Sequence, residues 1–149
     1  FPWEVVLIDT PGELGAMFTN ALVASSWVLV PLKPDKDDLR GARTVLEAAR
    51  TAERLRPGLR VLGLVLQQYE LTTNATRLLT DLTAELAEAF GIPLLGSRIP
   101  KDVKVRDAAN LDQPVGQAFP GSRAAVMYRR LAEEVLGVMG MVERLEAVS

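Results

Sequence analysis

At 149 residues the chain has the length of one ordinary domain and can bury a core of its own. Its 48% apolar content argues against disorder, and its net charge of -2 excludes a uniformly basic nucleic-acid-binding surface, so any such contact needs a local patch. With no cysteine and no histidine, disulfides, thiol chemistry and imidazole catalysis are excluded, and carboxylates, backbone groups, lysines and arginines remain.

In chain order, the first element expected is a strand over 4–8, where Val5, Val6, Leu7 and Ile8 form a continuous apolar run ending on Asp9 before Thr10, Pro11 and Gly12 break it. A short helix follows over 15–24, then a second strand over 27–32. Leu39, Ala42, Leu46 and Ala49 mark one face of a helix over 38–55, with Asp37 or Asp38 its simplest N-cap. The run 61–66 predicts a third strand. Thr72, Thr73 and Asn74 suit the cap of a helix over 74–90, faced by Leu78, Leu82, Leu86 and Ala89. Gly58 and Gly91 fall just past the two long helices, where a left-handed residue ends a helix. A weaker strand over 93–99, a helix over 103–110 and one long amphipathic helix over 122–147, relaxed at Gly137 and Gly140, complete the chain.

Short strands apolar on both faces, alternating with helices, predict an α/β domain with a mostly parallel sheet flanked by helices. The longest apolar runs are far too short to span a membrane and no cationic leader precedes one, so the expectation is a cytoplasmic protein.

In open α/β sheets ligands bind beyond the C-terminal ends of the strands, which is where Asp9 stands. A hydrophobic strand ending in Asp has the form of a Walker B element, whose carboxylate helps hold Mg²⁺ on nucleotide phosphates. Acidic residues also end strands in sheets that bind no metal, so the strand alone leaves both readings open. Asp35, Asp37 and Asp38 read as capping residues before a metal site, because they are adjacent and have no distant partner.

The string "VVLIDTPGELG", followed by "NALVASSWVLVPLKPDKDDLRG", "RVLGLVLQQYE" and "GSRIPKDVKVRDAANLDQPVGQAFPGSRAAVMYRRLAEEV", resembles the C-terminal half of the ParA/Soj partition ATPases, relatives of MinD. The resemblance covers nearly the whole chain in order. It implies residues 1–149 as the C-terminal portion of a single P-loop NTPase (Rossmann-like) domain, beginning at the Walker B strand. It further implies an intact protein that binds ATP and Mg²⁺, forms a self-dimer, binds DNA nonspecifically and hydrolyses ATP with a ParB-like centromere-binding partner, in the cytoplasm on the nucleoid.

On that resemblance Asp9 carries the catalytic and metal role, with Thr10 and Pro11 continuing a D-T-P signature from which Gly12 departs. Asn20, Ala21 and Leu22 match a packing N-A-L. Gln67 or Gln68 falls near the adenine base, and Ile99, Pro100, Lys101 and Val103 match a base-recognition loop. The phosphate cradle, G-x-x-x-x-G-K followed by Ser or Thr, is absent from this sequence. In the family it lies in a segment that would precede Phe1. The chain as written is therefore expected neither to bind ATP well nor to hydrolyse it.

Arg40, Arg43, Arg50 and Arg54 line one face of the 38–55 helix, with Arg56 and Arg60 following, a pattern that solvated helix faces also produce. Arg98, Lys104, Arg106, Arg129 and Arg130 are the DNA-binding candidates, suited to phosphate contact without base readout. Two other readings stand beside the partition ATPase. One is a non-catalytic interaction module on the same scaffold. The other is a MinD-like membrane regulator, disfavoured by the tail "GVMGMVERLEAVS", whose two glutamates and one arginine make a poor anchor.

Overall fold

The computed structural model describes residues 3–10, 14–70 and 74–141. Three parallel strands, β1 (Trp27–Leu32), β2 (Arg60–Tyr69) and β3 (Leu94–Pro100), form one sheet in the order β1-β2-β3. The helices are α1 (Ala16–Ala24), α2 (Lys36–Leu55), α3 (Asn74–Phe90), α4 (Val103–Ala109), α5 (Val115–Ala118) and α6 (Arg123–Val138).

Two successive crossovers that step the same way across a parallel sheet place their helices on one face, because each is right-handed. The packing agrees. Val30 and Leu32 of β1 and Leu64 and Leu66 of β2 form one buried cluster with Ala42 and Leu46 of α2 and Leu86 and Ala87 of α3. Small residues on the helices let them approach the strands closely, and leucines fill the space between. A second cluster seats α1 on α2 through Phe18, Leu22, Ala52 and Leu59, so Leu22 of the N-A-L triplet is a packing residue while Asn20 is exposed. The last helix, α6, packs along β3.

The α/β architecture with a parallel sheet is as the sequence predicts, and the expected strands over 27–32, 61–66 and 93–99 are all present. Residues 4–8 are different. They form no strand, and Val6 and Leu7 are 66% and 91% exposed. An apolar run specifies what a strand can bury but not what it pairs with. Among the described residues β1 pairs only with β2, and nothing forms a ladder with Val5 to Ile8. The helix expected over 122–147 ends earlier, at Val138, with Gly140 left-handed (φ 69°) just beyond it. Its Val142 and Leu145 positions lie outside the described residues, as do Thr72 and Thr73.

The cap of α2 also needs correction. Asp35, not Asp37 or Asp38, is the N-cap: its carboxylate accepts from the Asp38 N–H at 2.8 Å. Asp38 in turn accepts from the Lys33 N–H at 2.7 Å, which closes the turn leaving β1. The acidic cluster is thereby used in ending one element and starting the next.

At Gly63 the chain adopts φ 148°, and a Cβ there would lie 2.6 Å from the Pro93 carbonyl oxygen. That carbonyl accepts from the Leu64 N–H at 3.0 Å, so the close approach joins β2 to the start of β3. Gly41, on the exposed side of α2, has open space where a Cβ would be. Opposite outcomes follow from the same Gly→Ala exchange. Gly63→Ala is expected to lower unfolding free energy by about 2 kcal/mol or more through strain and clash. Gly41→Ala is expected to raise it by about 0.5–1 kcal/mol. Urea titration of both variants checks the sign of each.

Candidate functional site

All three strands point their C-terminal ends to one edge, and the register sets Tyr69 of β2 beside Pro100 of β3 there. A cleft of about 660 Å³ opens at this edge. One wall comes from Tyr69 and Glu70, another from Pro100 and Lys101, and the third from Arg123 and Val126 at the start of α6. Pro100 is buried and Ile99 beneath it is 4% exposed, so the rim of the cleft stands on packed core.

Two polar pairs border the cleft. Arg98 donates to the Tyr69 hydroxyl at 2.9 Å and lies 5.0 Å from the centre of its ring. Lys101 lies 3.9 Å from the Glu70 carboxylate, a long and largely exposed ion pair. The cleft is therefore rich in cations and flat apolar surface. Such a site suits an aromatic ligand that carries acceptors or negative charge.

The loop leaving β3 is fixed by Asp102. Its Oδ1 accepts from the Lys104 N–H at 2.9 Å, capping α4, and its Oδ2 accepts from the Ala124 N–H at 3.1 Å in the first turn of α6. The Lys104 N–H, then the Ala124 N–H, hold this carboxyl below its ordinary 3.8, with the Arg123 and Lys104 charges adding to them against partial desolvation. Ser122 caps α6 separately, accepting from the Ala125 N–H at 3.2 Å.

A second carboxylate fastens α6 further along. Between Leu64 and Leu66 of β2 the pairing advances two residues, while β3 advances four, from Leu94 to Arg98. The extra length bulges, and Glu134 of α6 accepts from the N–H groups of Gly96 and Ser97 at 2.7 and 3.0 Å. Partial burial pushes the Glu134 carboxyl upward, but the Ser97 hydroxyl and the two N–H donors outweigh it and leave the group below its ordinary 4.5.

The residues predicted from sequence distribute unevenly around this cleft. Pro100 and Lys101 line it. Gln67 is half-buried in β2, and Gln68 is exposed with φ 51°, a left-handed conformation that interrupts the strand's alternation and brings Tyr69 and Glu70 to the cleft instead. Val103 opens α4 and is 63% exposed. Asp9 is exposed and Thr10 half-buried, both outside the sheet and neither lining the cleft, and Pro11 lies outside the described residues.

Among the described residues no group of three or more acidic side chains is placed to hold a metal ion. Asp9 stands there as one exposed carboxylate.

Of the basic candidates, Lys104 is committed to Asp107 at 3.0 Å and lies 4.6 Å from the Phe119 ring centre. Arg106, Arg129 and Arg130 are exposed, with no side-chain hydrogen bond or ion pair to other described residues. On α2 and beyond, Arg50 lies over Phe90, Arg60 over Trp27, and Arg56 donates to Ser26. That stripe is in part structural.

No protein-family model matches the chain. Among curated proteins it is 34% identical over 137 residues to the chromosome-partitioning ATPase Soj of Thermus thermophilus, covering 90% of this chain and 53% of that protein. It is 32% identical over 142 residues to the chromosome partitioning protein ParA of Caulobacter vibrioides, covering 91% of this chain and 50% of that one. In sequence this chain is similar to ParA/Soj chromosome-partitioning proteins. It spans about half the length of the curated relatives it matches. Among solved structures, the cell division ATPase MinD of Pyrococcus furiosus superposes with a TM-score of 0.72 at 24% identity, over 91% of this chain and 53% of that one, a likeness of fold. Among the described residues, no helix is long and apolar enough to cross a membrane.

The Glu134 bridge generates a pH prediction. A carboxyl lowered in the folded state gives its full stabilisation above the unfolded-state value of 4.5 and loses it as pH falls through the folded value. Glu134→Gln, which keeps one acceptor oxygen, is expected to cost about 1 kcal/mol at neutral pH, where the site is partly open to water. The gap between variant and wild type should narrow below the ordinary carboxyl range, as read by denaturant titrations at neutral and acidic pH.

Proposed function

We propose that this chain is the C-terminal portion, from the Walker B segment onward, of a ParA-like partition ATPase. Its cleft would receive the adenine base of ATP. The observation that carries this reading is the cleft's position, beyond the C-terminal ends of β2 and β3, on a chain collinear over 90% of its length with a chromosome-partitioning ATPase.

Within the cleft, Tyr69 and the edge of the buried Pro100 would give a base apolar contact, while the backbone at Pro100 and Lys101 suits its polar edge. Gln67 and Gln68 are not among the residues lining the cleft. In the whole protein a phosphate-bound Mg²⁺ would supply charge neutralisation on the transferred phosphoryl group. This chain's contribution there is Asp9, one acceptor carried with Thr10 and Pro11 on a segment that needs a neighbouring strand to be fixed in place. The phosphate cradle would come from the part of the protein that this sequence does not contain.

The further activities of such a protein, dimerisation, nonspecific DNA binding and response to a ParB-like partner, belong to the same proposal. Arg106, Arg129 and Arg130 are the better DNA candidates, because their side chains are exposed and uncommitted among the described residues, whereas Arg98 and Lys104 have intramolecular partners. Phosphate contacts of this kind carry no sequence information, which fits binding that is nonspecific.

Two measurements on the full-length protein test the reading. Asp9→Ala is expected to abolish DNA-stimulated and partner-stimulated ATP hydrolysis; hydrolysis at the wild-type rate would refute the role given to Asp9. Charge reversal at Arg129 and Arg130 is expected to weaken DNA retention and to flatten the slope of log K against log salt by about 0.9 per lost phosphate contact. ATP affinity should remain within twofold of wild type.

A further inference from the structure

The cleft has walls from two separate pieces of chain. Pro100 and Lys101 leave β3, whereas Arg123 and Val126 belong to α6, more than twenty residues later. Between them the chain runs out through α4 and α5 and returns, so continuity of the backbone does little to set how far apart the walls stand. α6 packs along β3 and Glu134 ties it there further on, and at the cleft itself one side chain joins the two walls. Asp102 follows the first wall in sequence, and its two carboxylate oxygens accept from the Lys104 N–H at 2.9 Å and the Ala124 N–H at 3.1 Å.

We propose that Asp102 is the positioning residue of the cleft: by holding the first turns of α4 and α6 at once, it fixes the Pro100–Lys101 wall relative to the Arg123–Val126 wall and so sets the cleft's shape for its ligand. The proposal rests on the reading of this cleft as the nucleotide-base site, and it adds which residue keeps that site formed.

The chemistry is specific to an aspartate. Each oxygen serves a different helix, so both must be acceptors, and the side chain must be short enough to cap α4 from the position before it. Asparagine caps a helix about as well as aspartate but offers one oxygen and one NH2 group, and an NH2 group facing an N–H donor repels it. Asn therefore retains one of the two bonds and breaks the bridge. Ser122 is the matched control. It caps α6 through its own hydroxyl, two residues from Ala124, and takes no part in the link to the loop.

The closing experiment compares wild type, Asp102→Asn and Ser122→Ala in the full-length protein. It uses amide hydrogen exchange without nucleotide, melting temperature, and equilibrium binding of a fluorescent ATP analogue. In Asp102→Asn, either the Lys104 or the Ala124 amide should lose protection, and affinity for the analogue should fall about tenfold. In Ser122→Ala, with a comparable loss of melting temperature, affinity should stay within twofold of wild type. Unchanged exchange in Asp102→Asn, or affinity losses that simply follow melting temperature in both variants, would overturn the positioning role. Wild-type protein that binds the analogue, with Asp102→Asn binding it equally well, would overturn this proposal while leaving the base-site reading intact. Failure of the wild type to bind the analogue at all would overturn the base-site reading and this proposal with it.

Discussion

The bridge made by Asp102 is the interaction on which the arrangement of the strand-end edge depends. A parallel sheet orients its strands by crossover connections, and α2 and α3 do this for β1, β2 and β3 through a shared leucine core. What comes after β3 has no further strand to lock it. The segment from Lys101 to Ser122 contains only short helices, held by the buried Ala108, by packing of α4 on α5 and α5 on α6, and by the tie at its two ends. Asp102 ties the beginning of that segment to its end.

Glu134 complements it along α6. One carboxylate holds the start of the helix against the loop, and the other holds its later turns against the bulge in β3. Backbone N–H groups released by an irregular strand need acceptors, and a carboxylate satisfies two of them with strong, charge-assisted bonds. Bulge and helix therefore explain each other. Without Glu134 the Gly96 and Ser97 donors would turn to solvent, and without the bulge the glutamate would have no pair of donors to meet. Both ties also leave their carboxyls below the ordinary range, so neither is lost near neutral pH.

The sequence carried the fold's periodic elements and missed what depended on partners. Leu39, Ala42, Leu46 and Ala49 announced α2, and the Val- and Leu-rich runs announced β1 and β2, because burial imposes its own spacing on residue type. Val5 to Ile8 have the same composition and form no strand, since a ladder needs a neighbour that composition does not encode. In the site, Pro100 and Lys101 were legible from the I-P-K-D string. Tyr69 and Glu70 were not, because the left-handed turn at Gln68 moves the strand's end by one residue from where alternation would put it. Arg123 and Val126 were invisible for a different reason. Their place beside Pro100 follows from α6 packing along β3 and from the Asp102 bond to its first turn, both long-range contacts, and the sequence shows only an aspartate before a helix, which alone reads as a cap.

The similarity to ParA/Soj proteins and the position of the cleft support the proposal that a nucleotide's base sits between Pro100 and the start of α6. A structure of the full-length protein with a non-hydrolysable ATP analogue and Mg²⁺ tests it most directly. The adenine ring is expected in the cleft bounded by Tyr69, Pro100 and Arg123, with both Asp102 bonds retained. An analogue bound with its base elsewhere, and this cleft empty, would contradict it.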